Sequence, residues 1–244
     1  MLAAYFDQFN IIRLITIQAL FEDWPITFTN SSMMMVIAIM AILLLLKGDW
    51  LIPRRWQILM EIIYLNIRSV VRDNLGAPGE KYFPLVLSLF LYIGMLNILG
   101  LFPYIFTPTV HIVITFGLSL SILIGVILLG IIKFKWNFLS IFMPGGAPLA
   151  LAFILVPIET LSYLSRALSL GLRLAANLTA GHLLFAIISG FTFTMLANGL
   201  FVLSLFPMLV MLFITILEMA VAIIQAYVFS LLTTIYLSDT IVLH

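Results

Sequence analysis

The chain has 244 residues, of which 64% are hydrophobic and 9% charged, and its net charge is +1. That balance excludes an ordinary soluble domain and a disordered tail of any size, and it gives no overall attraction to nucleic acid. With no cysteine in the chain, disulfides, thiolate metal sites, iron–sulfur clusters and cysteine nucleophiles are excluded too.

The long apolar runs lack the alternation of barrel strands, so an all-α integral membrane fold is expected. Residues 1–29 mix Ile11, Ile12, Leu14 and Ile15 with Arg13, Gln18, Glu22 and Asp23. They read as a segment on the outer surface, either a plain tail or a short interfacial helix ended by Pro25. Asp7 comes early and no basic stretch precedes an apolar core, so no cleavable leader is expected. Asn30, Ser31 and Ser32 are helix-capping types before a run of methionine, isoleucine and leucine; 30–47 is predicted as the first span, closed by Lys47 and Asp49. Pro53 then opens a helix over 53–74. In it Ile58, Leu59, Ile62, Ile63, Ile67, Val70 and Val71 keep helical spacing while arginines and acids fill the rest. Such a helix lies on a membrane rather than through it, and Gly76, Pro78 and Gly79 break it.

The second span is predicted over 82–104, with Asn97 inside it bonding a neighbouring helix. Pro103, Thr107 and Pro108 make a short turn, and 111–132 is the third span, with His111 at the interface. Lys133 and Lys135 end that span, and MPGGAP (143–148) is a loop. Two further apolar runs cover 148–190 and 199–237. Each is roughly 60 Å long as a helix, about twice the hydrocarbon thickness. Either each run breaks into two spans, or the pair lies strongly tilted as an antiparallel hairpin turned at Asn198 and Gly199. Lysine and arginine concentrate in the 47–81 and 133–147 loops. That bias places the N-terminus outside and those loops inside, and five embedded elements leave the C-terminus inside.

One polar stretch, ETLSYLSRALSLGLRLAANLTAGH (159–182), sits within the first long run. A charge near the bilayer centre costs at least a few kcal/mol. Glu159, Arg166 and Arg173 recur at intervals of about two turns and share one helix face; Asn177 rejoins it, while His182 lies roughly half a turn round. In an antiparallel pair, facing residues have position numbers of constant sum. His182 with Glu218, Arg173 with Gln225, and Glu159 with Asp239 satisfy one such register, with the fold near residue 199. A low-dielectric interior calls for that opposition of polar groups.

Histidine and glutamate exchange protons near neutral pH, whereas arginine does not. A carboxylate about 4 Å from Arg173, at an effective dielectric near 20, gains roughly 4 kcal/mol, or about three pKa units. Two titratable clusters on either side of one permanent cation therefore describe an interrupted proton path. Blander roles stand beside these. Arg166 pairs structurally with Glu159 or snorkels; Gln225 and Asn177 either clamp Arg173 or join helices; His182 alone would be an ordinary cross-helix bond. A His182–Glu218 metal site has too few ligands, and no metal or cofactor is expected. The chain has no phosphate-binding glycine loop, nucleophile elbow or HExxH motif, so it is not expected to be an enzyme on its own. A secondary transporter would show internal repeats, which are missing; a purely structural membrane anchor is the other alternative.

PIETLSYLSRALSLGLRLAANLTAGHLL resembles the a subunits of F-type ATP synthases. The likeness extends over nearly the whole chain through RRWQILMEIIYLNIRSVV, LNILGLFPYIFTPT, FMPGGAPLAL and LEMAVAIIQAYVFSLLTTIYLSD, and is weakest in the first 30 residues. It implies five membrane-embedded helices plus one amphipathic surface helix, with the last two long, tilted and antiparallel against a rotating c-ring. It implies that Arg173 is the stator arginine facing the ring carboxylates, with Asn177 and Gln225 as its polar neighbours. His182 and Glu218 would form the outer half-channel pair, and Glu159 and Asp239 the inner acids. Bacterial members often carry an acid where His182 stands and a histidine where Glu218 stands; the exchanged arrangement here resembles mitochondrial forms. The implied partners are the c-ring, peripheral-stalk subunit b, small membrane subunits and the lipid bilayer, with no nucleic acid. The implied location is the mitochondrial inner membrane, with a bacterial plasma membrane as the alternative.

Overall fold

The apolar runs fold as helices, and in a computed structural model they can be followed over residues 9–17, 26–47, 55–102, 105–135 and 149–241. The expectations placed on Pro25, Asp49, Pro53, Pro103 and the 143–148 loop lie outside these described residues. Six α-helices appear among the described residues: α1 (Asn30–Leu46), α2 (Arg55–Leu75), α3 (Phe83–Gly100), α4 (Ile112–Phe134), α5 (Leu149–Ala197) and α6 (Phe201–Ile241). Four of the helical stretches are long and apolar enough to cross a membrane: Gly79–Gly100, Ile112–Phe134, Phe153–Ala197 and Phe201–Thr240. The fifth embedded element expected, α1, is equally apolar but has 17 residues, about 26 Å of helix against a hydrocarbon layer of about 30 Å.

An interfacial helix does not form in the described part of the first 29 residues. Arg13–Ile17 (β1) pairs antiparallel with Ile26–Thr29 (β2), with Ile15 opposite Phe28 and an irregularity between Arg13 and Ile15. The segments RLITI and ITFT are rich in β-branched residues, which are stiff at χ1 and favour strands. Asn30 fastens this hairpin to α1: its N–H donates to the Ile12 carbonyl, its Nδ2 donates to the Asn10 carbonyl, and its Oδ1 accepts from the Ile12 N–H. The capping role expected of Asn30 to Ser32 is shared with Thr29. The Thr29 N–H donates to Ser32 Oγ at 2.9 Å and the Ser32 N–H donates to Thr29 Oγ1 at 3.4 Å, a reciprocal cap.

The chain divides into two compact units, each drawing on several helices. The first comprises Met1–Leu44, Tyr92–His111 and Leu174–Gln225. It holds the β-hairpin, the C-terminal half of α3 and the halves of α5 and α6 that flank their connection. That connection ends α5 with a two-bond cap: the Leu200 N–H donates to the Met195 carbonyl and the Gly199 N–H to the Leu196 carbonyl. Gly199 has φ +76°, a conformation that carries almost no penalty only for glycine. In this unit α5 and α6 run antiparallel, with Thr192 Oγ1 lying 3.8 Å from Met211 Sδ and Gly181 lying against Glu218.

The second unit comprises Leu45–Leu91, Ile112–Arg173 and Ala226–His244. Its core joins Ile67, Val71 and Leu75 of α2, Val86 of α3, Leu123 and Val126 of α4, Tyr163 and Ala167 of α5, and Tyr236 and Leu237 of α6. So the apolar stripe of α2 is divided in use. Its C-terminal part is buried in protein, whereas Trp56, Ile58, Leu59 and Ile62 are exposed, free to meet a membrane surface. Ser238 of α6 donates to the Asn74 carbonyl at the end of α2. Gly171 of α5 approaches α4 so closely that an added Cβ would lie 3.1 Å from the Thr115 carbonyl oxygen and 3.2 Å from Phe116 Cα.

Candidate functional site

The polar residues gather in two places, one in each unit. In the first unit α5 carries Asn177 and His182, α6 carries Glu218 and Gln225, and α3 carries Asn97. Asn97 is fully buried, and its Nδ2 donates to the Ala222 carbonyl of α6 at 3.4 Å. That is the cross-helix bond expected of an asparagine inside a span. Asn97, Asn177, Glu218 and Gln225 line a cavity of about 20 Å³ together with Leu174, Leu178, Val221 and Ala222. That is room for about one water molecule. Three polar atoms there, Asn97 Oδ1, Glu218 Oε1 and Gln225 Nε2, are buried and have no hydrogen-bond partner among the described residues.

Gly181 brings the Glu218 carboxylate against α5, one position from the opposition expected for His182. His182 itself turns to a third element. Its Nε2 lies 3.2 Å from Thr107 Oγ1, in the turn between α3 and α4, and the Phe9 ring meets the imidazole edge-on at 6.0 Å. Thr107 is buried and donates its hydroxyl proton to the Gly100 carbonyl at the end of α3. The sequence pattern marks Thr107 only as part of a turn; its contact with His182 spans 75 positions and has no local signature.

In the second unit Arg166 of α5 stands between the two acids. Its Nη2 is 3.8 Å from Glu159 and its Nη1 is 3.9 Å from Asp239 of α6, and its guanidinium lies over the Tyr163 ring at 5.1 Å. The expected Arg166–Glu159 pair is thus present, and Arg166 extends it to Asp239. Tyr163 and Tyr236 meet in the register expected for the hairpin, with the Tyr163 hydroxyl donating to the Tyr236 carbonyl.

Arg173 is exposed. It lines an open groove of about 440 Å³ with Ser165, Arg166, Ser169, Leu170, Val228, Leu231 and Leu232. Among the described residues it has neither an ion-pair nor a hydrogen-bond partner. Gln225, its expected opposite number, belongs to the other unit.

The family model described as ATP synthase A chain matches residues 28–238. The chain belongs to the ATP synthase A chain family. The a subunit of ATP synthase from Metridium senile is 63% identical over 243 residues, which cover 99% of each chain. The a subunit from Chondrus crispus is 43% identical over 244 residues, covering 98% of this chain and 96% of its own. That from Paramagnetospirillum magneticum is 41% identical over 247 residues, with 98% of each chain covered. Membership of the ATP synthase A chain family makes this a membrane-embedded channel subunit of the synthase, as the resemblance of the arginine segment implies. The family match begins at residue 28, so the β-hairpin lies almost wholly outside it.

Proposed function

We propose that this chain is the stationary proton-conducting subunit of the membrane sector of an ATP synthase, offering two offset half-channels to a rotating ring of c subunits. The observation that carries the reading is Arg173, an exposed guanidinium with no ion-pair or hydrogen-bond partner among the described residues, set in a long apolar helix. A permanent charge so placed calls for a partner's anion, and a carboxylate on a neighbouring ring meets that need.

Protons enter from the positive side at His182 and Glu218, beside the small polar cavity of the first unit. They neutralise a ring carboxylate, which then faces lipid at far lower cost than its anion. After nearly a full rotation that carboxylate reaches the second cluster and releases its proton toward Glu159 and Asp239. Arg173 keeps an arriving carboxylate ionised and bars a direct proton leak, because it neither accepts nor gives up a proton. The family resemblance assigns Asn177 and Gln225 as polar neighbours of the arginine, and Arg166 holds the two inner acids in place. ATP chemistry takes place in other subunits. Subunit b of the peripheral stalk and small membrane subunits hold this chain against rotation. The 63% identity to the Metridium senile subunit favours the mitochondrial inner membrane.

The test is Arg173→Ala in the whole synthase reconstituted into vesicles. Proton-driven ATP synthesis should fall below detection while the complex stays assembled. Retained coupled synthesis would reject the role.

A further inference from the structure

We infer that Thr107 is a positioning residue of the outer proton path, fixing His182 as the tautomer that carries its proton on Nε2. The inference rests on the reading of His182 given above. Thr107 Oγ1 makes two contacts, with the Gly100 carbonyl at 3.1 Å and with His182 Nε2 at 3.2 Å. A threonine hydroxyl has one proton and two lone pairs, and a carbonyl oxygen only accepts. The proton therefore goes to Gly100, and Oγ1 is left as an acceptor toward the ring. His182 Nε2 must be the donor. In the neutral ring this leaves Nδ1 as the one basic nitrogen. A proton arriving at His182 adds to Nδ1 and gives an imidazolium. The onward proton leaves from the same nitrogen, and the Nε2–H···Oγ1 bond survives the cycle.

The seat of Thr107 is built for this. The residue is 3% exposed, so its hydroxyl is shielded from competing water. Gly100 permits the approach: a Cβ there would run into Thr107 Cγ2 and Oγ1. The Phe9 ring set edge-on to the imidazole narrows the ring's freedom further. A freely rotating histidine would present either nitrogen to the path. This one presents Nδ1 every time.

The experiment uses the assembled synthase with ¹⁵N-labelled histidine. The chain has three histidines, and His182→Gln identifies the resonances of His182. At a pH where the ring is neutral, the wild type should show Nε2 protonated and Nδ1 bare. A protonated Nδ1 overturns the inference without any variant of Thr107. In vesicles, Thr107→Val should lower proton-driven ATP synthesis roughly fivefold to tenfold per assembled complex, and Thr107→Ser should stay within about twofold of wild type. Wild-type flux in Thr107→Val overturns the inference, and so does an equal loss in both variants. His182→Ala separates the two levels. Full flux there removes the His182 relay and this inference with it, whereas lost flux there alongside a silent Thr107→Val removes this inference alone.

Discussion

A guanidinium keeps its proton at any working pH, while a carboxylate and an imidazole do not, and the roles proposed for Arg173, Glu218 and His182 follow from that difference. Position then decides whether a titratable group is useful. Gly181 sets the position of Glu218, because a Cβ on it would overlap the carboxylate. In Gly181→Ala the carboxylate end must swing aside, which a flexible side chain does without unfolding the helix pair. Assembly should stay near wild type while proton-driven ATP synthesis drops about tenfold or more, the scale expected for a misplaced reacting group. Unchanged synthesis would show that the present seat of Glu218 is not needed. At this scale the sequence was partly legible. Arg173 stood out because a charge inside an apolar run has no cheap structural explanation. Thr107 did not stand out, since a threonine beside a proline reads as turn chemistry and its partner is remote in sequence.

Close approach and turn geometry decide matters for the helices. Gly199 ends α5 with φ +76° and nothing near its missing side chain. Alanine there should cost about 1 kcal/mol through the left-handed conformation alone and leave proton flux per assembled complex unchanged. Gly171 differs, because an added methyl would press on the backbone of α4, which cannot swing away. Gly171→Ala should cost more, about 1–3 kcal/mol, the range for overpacking a filled interior. Thermal unfolding of the two variants checks the order; equal midpoints would contradict it. Helix identity was legible because apolar run length and 3.6-residue spacing survive in sequence, and the Asn198–Gly199 turn carried its own signal. The β-hairpin was not, because RLITI and ITFT are too short to show a period and lie beside charged residues that also suit an interfacial helix. The divided face of α2 was not legible either: isoleucines that meet protein and isoleucines that stay exposed look alike in sequence.

For the molecule as a whole, charge bias sets the sidedness proposed for the proton path. Lys47, Arg54, Arg55, Arg68, Arg72 and Lys81 crowd one connection, and Lys133 and Lys135 begin another. An N-terminal tag should accordingly be cut by protease only from the outer face of sealed vesicles, and a C-terminal tag only from the inner face. Cleavage of both from one face would reverse or remove the assigned direction of proton flow. The cavity lined by Asn97, Glu218 and Gln225 adds a different lesson. A buried polar atom left without a partner works against folding by about 1–3 kcal/mol, and oily replacements of similar volume would relieve that burden. Asn97→Leu and Gln225→Leu should melt at higher temperature than the natural chain and carry less current. The subunit is softer beside its proposed proton path than its composition would allow, and a version hardened there against heat should conduct poorly.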